Sequence, residues 1–143
     1  CEAVAADLAA RLAAQGGAAL IFDYGYVGPA LGDTAQAMRR HAYVPFLDDP
    51  GEADLTAHVD FAALATAADL GGGRAWGPVG QGDFLRALGI EHRAQALMNA
   101  APGQAAATAA ALERLTGDDQ MGKLFKTLCI SAPGLDAPAG FPI

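Results

Sequence analysis

Cysteine, tryptophan and serine are almost absent from this sequence of 143 residues, which holds two cysteines, one tryptophan and the single serine Ser131. Cys1 and Cys129 cannot build a disulfide framework, and Cys129 sits in an apolar run where it reads as a small core residue in a reducing compartment. A lone serine at the end of a strand-like segment argues against a Ser-His-Asp hydrolase, whose nucleophile needs a strand-to-helix elbow. His41, His58 and His92 are far apart and lack paired ligand spacing, so no metal site is expected. Basic residues are also scarce. Nine Lys and Arg face 16 Asp and Glu, giving a net charge of -7 and a pI near 4.6. That balance argues against nucleic-acid binding, which needs clustered cations, and favours a basic partner. The short Arg39-Arg40-His41 run and the pair Lys123 and Lys126 do not outweigh it. No apolar stretch has the length of a membrane span, and no basic-then-apolar leader opens the chain. Its start, Cys1-Glu2-Ala3, has the character of a helix interior and reads as a cut or processed piece.

What is present is a 52% hydrophobic composition, much of it alanine. It predicts one domain or part of one, with closely packed helices against a few strands. Val4, Leu8 and Leu12 recur at helical spacing over Glu2 to Gln15, and Gly16-Gly17 stop the helix. The run from Ala18 to Phe22 suits a strand buried on both faces, ended by Asp23-Tyr24-Gly25-Tyr26. Asp33-Thr-Ala-Gln36 has the spacing of a helix start and predicts a helix to about Arg40, followed by a loop from His41 to Glu52. Asp60 is placed to cap a helix over Phe61 to Leu70, which Gly71-Gly72-Gly73 terminate. A strand over Arg74 to Val79 and helices over Asp83 to Leu88, Glu91 to Ala100 and Gln104 to Leu115 follow. The first two of those helices share Phe84, Leu85, Leu88, Ile90, Leu97 and Met98 as an expected buried face. Leu124 to Ile130 is the last strand, and residues 133–143 form a surface tail.

Helix, turn and buried strand make the half-unit of a doubly wound α/β sheet, in which ligands gather beyond the carboxyl ends of strands. Polar side chains concentrate in two places: Asp23, Tyr24 and Tyr26 after the first strand, and Asp54, Thr56, His58 and Asp60 before a helix. Each has a structural alternative, with Asp60 a cap, Thr56 a turn hydroxyl and the tyrosines amphipathic wall residues. Asp23 divides evenly between substrate contact and local hydrogen bonding, because a carboxylate at the mouth of an inner strand must be solvated or used. Gly71-Gly72-Gly73 follows a helix and precedes a strand, the wrong context for a cofactor turn.

Several segments resemble the C-terminal half of MidA-type methyltransferases, the family of mitochondrial complex I assembly enzymes: ALIFDYGY, GDTAQAMRRH, DPGEADLTAHVDF, GQGDFLRALGI with HRAQAL, and MGKLFKTLCI. The similarity runs from about Gly16 to Ile130, and DPGEADLTAHVDF is its most specific block. It implies an α/β fold, the C-terminal part of a Rossmann-like class I methyltransferase with additional helices. ALIFDYGY would be its fifth strand and RAWGPV an edge strand, with LFKTLCI the antiparallel strand between them. It implies S-adenosylmethionine as cofactor, bound mainly by residues outside this chain, so no cofactor ligand is assigned to this numbering. It further implies a basic, arginine-containing protein substrate, with a homodimer compatible, in the cytoplasm of a bacterium or the mitochondrial matrix of a eukaryote. Asp23 and His58 are the catalytic candidates, although His58 also suits a purely structural hydrogen bond. Tyr24, Tyr26, His41, Asp54, Thr56 and Asp60 are the substrate-binding candidates, because carboxylates grip a planar guanidinium. The alternative is a non-catalytic docking or assembly module that presents the segment from Val27 to Leu55 and the helices from Glu91 to Leu115.

Overall fold

The computed structural model describes residues 1–30 and 32–141; Leu31, within the segment from Val27 to Leu55, and the last two positions of the expected tail lie outside them. In chain order the elements are α1 (Glu2–Gln15), β1 (Ala18–Tyr26), β2 (Gln36–Arg39), β3 (Ala42–Val44), β4 (Asp54–Thr56), β5 (Val59–Asp60), α2 (Phe61–Leu70) and β6 (Arg74–Gly80). The remainder is α3 (Gln81–Ala87), α4 (Ile90–Ala100), a 3-10 turn (Pro102–Gln104), α5 (Ala105–Thr116), α6 (Met121–Leu124) and β7 (Phe125–Ser131). No helix among the described residues is long and apolar enough to cross a membrane.

The main sheet has the order β5-β1-β7-β6. β7 runs antiparallel to both neighbours, pairing Ala18 to Tyr24 on one side and Arg74 to Gly80 on the other. The antiparallel inner strand is therefore where the sequence reading put it. Alternation along β7 sends side chains into two cores. Leu128 and Ile130 pack with Ala5, Ala9, Phe61, Leu64, Ala67 and Ala68 beneath α1 and α2. Cys129 joins Trp76, Phe84 and Phe141 on the opposite face, where Trp76 Nε1 donates to Ser131 Oγ at 2.9 Å. Alanines at the α1–α2 contact let these helices lie close together, which is how an alanine-rich sequence closes a core.

Several expectations change. The segment 33–40 is not a helix: Asp33 Oδ1 accepts from Ala35 N at 2.9 Å in a local turn, and the chain then enters β2. β2 is the centre of a second, three-stranded sheet of order β3-β2-β4, so the expected 41–52 loop contributes β3. β2 and β3 join through Arg40 and His41, whose φ of 51° and 64° fit a tight two-residue hairpin turn. Secondly, β1 continues through Asp23-Tyr24-Gly25-Tyr26 rather than ending there. Thirdly, β1 is not covered on both faces, since Leu20 and Phe22 are about half exposed. Finally, of the face expected on α3 and α4, Phe84 is buried while Leu88 and Leu97 are exposed. The tail is exposed over Pro133 to Asp136 and then returns Phe141 to the core against Phe84.

Candidate functional site

The carboxyl end of β1 meets the 54–60 block through a short parallel pairing, Gly25 with Val59 and Tyr26 with Asp60. Glycine is required there: a Cβ at Gly25 would run into the Val59 carbonyl oxygen and the Phe61 ring. This close approach brings His58 alongside Tyr24. Their rings stand edge to face at 5.5 Å, and Tyr24 makes a second such contact with Phe125 at 5.7 Å. His58 is held from the other side by the start of β2 and the turn before it. Gln36 Nε2 lies 3.4 Å from His58 Nε2, and the His58 backbone N–H donates to Thr34 Oγ1 at 3.2 Å. The Gln36 amide can donate to or accept from His58 Nε2, according to which ring nitrogen carries the proton. Thr56 stands opposite Gln36 in the β2–β4 register and so shares its face.

The structure thus brings together Tyr24, Thr56 and His58 of the expected residues. Tyr26 and Asp60 lie beside them in register, but one Asp60 oxygen is committed to the backbone N–H groups of Ala62 and Ala63 at the start of α2. Asp23 is separated from the cluster. Side chains alternate along β1, and Asp23 lines a cavity of about 310 Å³ on the helix-covered side with Cys1, Val4, Leu8, Ile21, Val59 and Leu64. There its Oδ1 accepts from the Tyr24 N–H at 2.8 Å, the local hydrogen bond that was one of its two readings. His41 is exposed in the turn at the far end of the β2–β3 hairpin, and Asp54 is exposed one row further out on the small sheet than Thr56. Gln36, Thr34 and Phe125 were not anticipated. The cue for Gln36 was its place in GDTAQ, masked by that segment's resemblance to a helix start.

Half-buried aromatic, imidazole, amide and hydroxyl groups at the end of an inner strand can orient a planar polar acceptor and exclude water from it. Gly80-Gln81-Gly82 joins β6 to α3, but these glycines serve packing, since a Cβ at Gly82 would run into the Thr116 carbonyl oxygen and one at Gly80 would crowd that of Gly122; Gly71 ends α2. These residues do not fit a cofactor cradle, and no cofactor step is assigned to them.

Residues 1–79 match the model of a family described as "Putative S-adenosyl-L-methionine-dependent methyltransferase". The chain belongs to this methyltransferase family. It is 40% identical over 125 residues to the mitochondrial protein arginine methyltransferase NDUFAF7 homolog of Drosophila melanogaster, covering 86% of the chain and 28% of that protein. The mitochondrial protein arginine methyltransferase NDUFAF7 of Danio rerio is 38% identical over 122 residues, with coverages of 83% and 28%, and that of Homo sapiens 41% over 93, with 65% and 21%. The chain therefore spans at most about 28% of the length of these relatives. An uncharacterised superfamily protein from Burkholderia thailandensis superposes with a TM-score of 0.86 at 28% identity, over 97% of this chain and 38% of that one. A second structure from that organism and superfamily, bound to S-adenosyl-homocysteine, superposes with a TM-score of 0.82 at 28% identity, over 97% and 37%. The family and these neighbours agree with the Rossmann-like α/β fold expected from the sequence.

Proposed function

We propose that this chain is the C-terminal part of an S-adenosylmethionine-dependent protein arginine methyltransferase domain, in which the Tyr24–Gln36–Thr56–His58 cluster faces the acceptor. The observation that carries the reading is the coincidence of a methyltransferase family match with a polar cluster at the carboxyl end of an inner strand, where sheets of this type gather ligands. The arginine methyltransferase names of the relatives support a protein acceptor, and the net charge of -7 supports a basic one. A respiratory complex I subunit is the acceptor that the sequence resemblance implies. The cofactor is held mainly by residues outside this chain. The setting is the mitochondrial matrix in a eukaryote, in keeping with the relatives' names, and the cytoplasm in a bacterium.

When bound, the cofactor supplies an electrophilic methyl group on sulfonium sulfur. The chain's own contribution is alignment: aromatic faces of Tyr24 and Phe125 to stack a flat guanidinium, and the Thr56 hydroxyl to accept from its N–H groups. The His58 imidazole, whose Nδ1 is left free by the Nε2 contact to Gln36, is the nearby base able to take the proton the acceptor nitrogen must release. Asp23, across the sheet from this cluster, acts by fixing the Tyr24 backbone. The test uses the full-length protein, with calorimetric titration of S-adenosylmethionine and transfer of labelled methyl to arginine peptides. His58→Ala is expected to slow transfer by about 100-fold while cofactor affinity stays near normal. Unchanged turnover would remove His58 from the reaction, and a full-length protein that binds no cofactor would point instead to the docking module.

A further inference from the structure

One face of the small sheet leads away from the candidate site. Residues opposite one another in antiparallel strands share a face, and alternate residues along a strand return to it. Gln36 and Thr56 form the row next to His58; the next row outward on that face is Tyr43, Met38 and Asp54, from β3, β2 and β4. The rows lie two residues apart, about 7 Å along the strands. Tyr43 is 72% exposed, Met38 is half-buried and Asp54 is exposed. Next to an exposed carboxylate, Tyr43 and Met38 give this row an aromatic and a flexible apolar side chain, the residue types enriched where a partner is bound. Of the nearby carboxylates, Asp49 is held by Arg39 at 2.6 Å, and Arg39 projects from the other face of β2. Asp54 has no ion pair among the described residues.

We infer that the Tyr43–Met38–Asp54 row is the docking surface for the polypeptide flanking the methyl acceptor, and that it selects a segment with an apolar and a cationic side chain. This rests on the proposed methyltransferase reading and specifies which substrates that reaction takes. Two features favour this occupant over a second copy of the chain. The surface is continuous with the candidate site, so an extended segment whose acceptor sits by His58 places a residue two positions away over Tyr43 and Asp54. The unpaired carboxylate complements a cation, whereas a second copy would bring a chain of net charge -7 against it.

The experiment measures fluorescence anisotropy of two short fluorescein-labelled peptides on the full-length protein. Both carry one arginine; one has leucine and lysine around it, the other leucine and glutamate. The cationic peptide should bind and the acidic one should not. Tyr43→Ala and Asp54→Asn should each weaken binding about tenfold. Asp54→Lys should reverse the preference, a gain that a misfolded variant would not show. No binding of the cationic peptide by the unaltered protein, or affinities indifferent to all three substitutions, overturns the inference. S-adenosyl-homocysteine titration and labelled methyl transfer, run on the same unaltered protein, report separately on the methyltransferase reading.

Discussion

Cys129 shows how placement alters chemistry at a single residue. Its thiol is 1% exposed between β1 and β6, and burial pushes its pKa above the ordinary thiol value, because the thiolate would lose its hydration. Cys1 is exposed. A thiol reagent should therefore modify Cys1 in the folded protein and reach Cys129 only on unfolding; rapid labelling of both in native buffer would contradict this packing. The sign of the pH effect follows. A folded-state pKa above the unfolded one leaves this contribution intact below the ordinary thiol range and removes it as pH rises through that range, since only the unfolded chain then ionises freely. Melting temperature should fall more steeply at alkaline pH in the parent than in Cys129→Ala.

At the scale of elements, the 58–61 junction joins fold and site. Asp60 ends β5 and caps α2 with one carboxylate oxygen, while its neighbours Val59 and Phe61 press against Gly25. Asp60→Ala should cost about 1 kcal/mol, seen as a lower denaturation midpoint, whereas Asp60→Asn keeps a capping oxygen and should lose little. Equal losses in both variants would mean that the charge, not the cap, is what matters. The same junction shows what sequence can disclose. α1 and α2 were legible to the residue because their ends are written locally, in Gly16-Gly17 and in Asp60 with Gly71. Segment 33–40 was not. Its helix-start spacing is a local cue, and it was overridden by pairing with β3 and β4, which depends on residues up to Thr56. Tyr24, Thr56 and His58 were legible as site candidates from polarity beside a strand end. Gln36 was hidden by the helix assignment, and the separation of Asp23 from His58 was hidden because strand alternation could not be applied to residues placed beyond the strand.

For the whole molecule, the main consequence lies at the margin of the sheet. Among the described residues, β1 pairs along Ala18 to Tyr24 only with β7, and β5 covers only Gly25 and Tyr26 on its other side. With Leu20 and Phe22 about half exposed, that margin is a template for further strand pairing. The 143 residues on their own should associate in a concentration-dependent way in sedimentation velocity, and Phe22→Lys should reduce it. A monodisperse monomer at high concentration would show that the margin is protected. The position of β7 carries a separate consequence for biosynthesis. As the last strand among the described residues yet an inner one in space, it is the keystone inserted after both flanking strands exist. A ribosome must extrude the chain past Ser131 before β1 and β6 can be joined, so both flanking strands wait with an unpaired side until this region is translated.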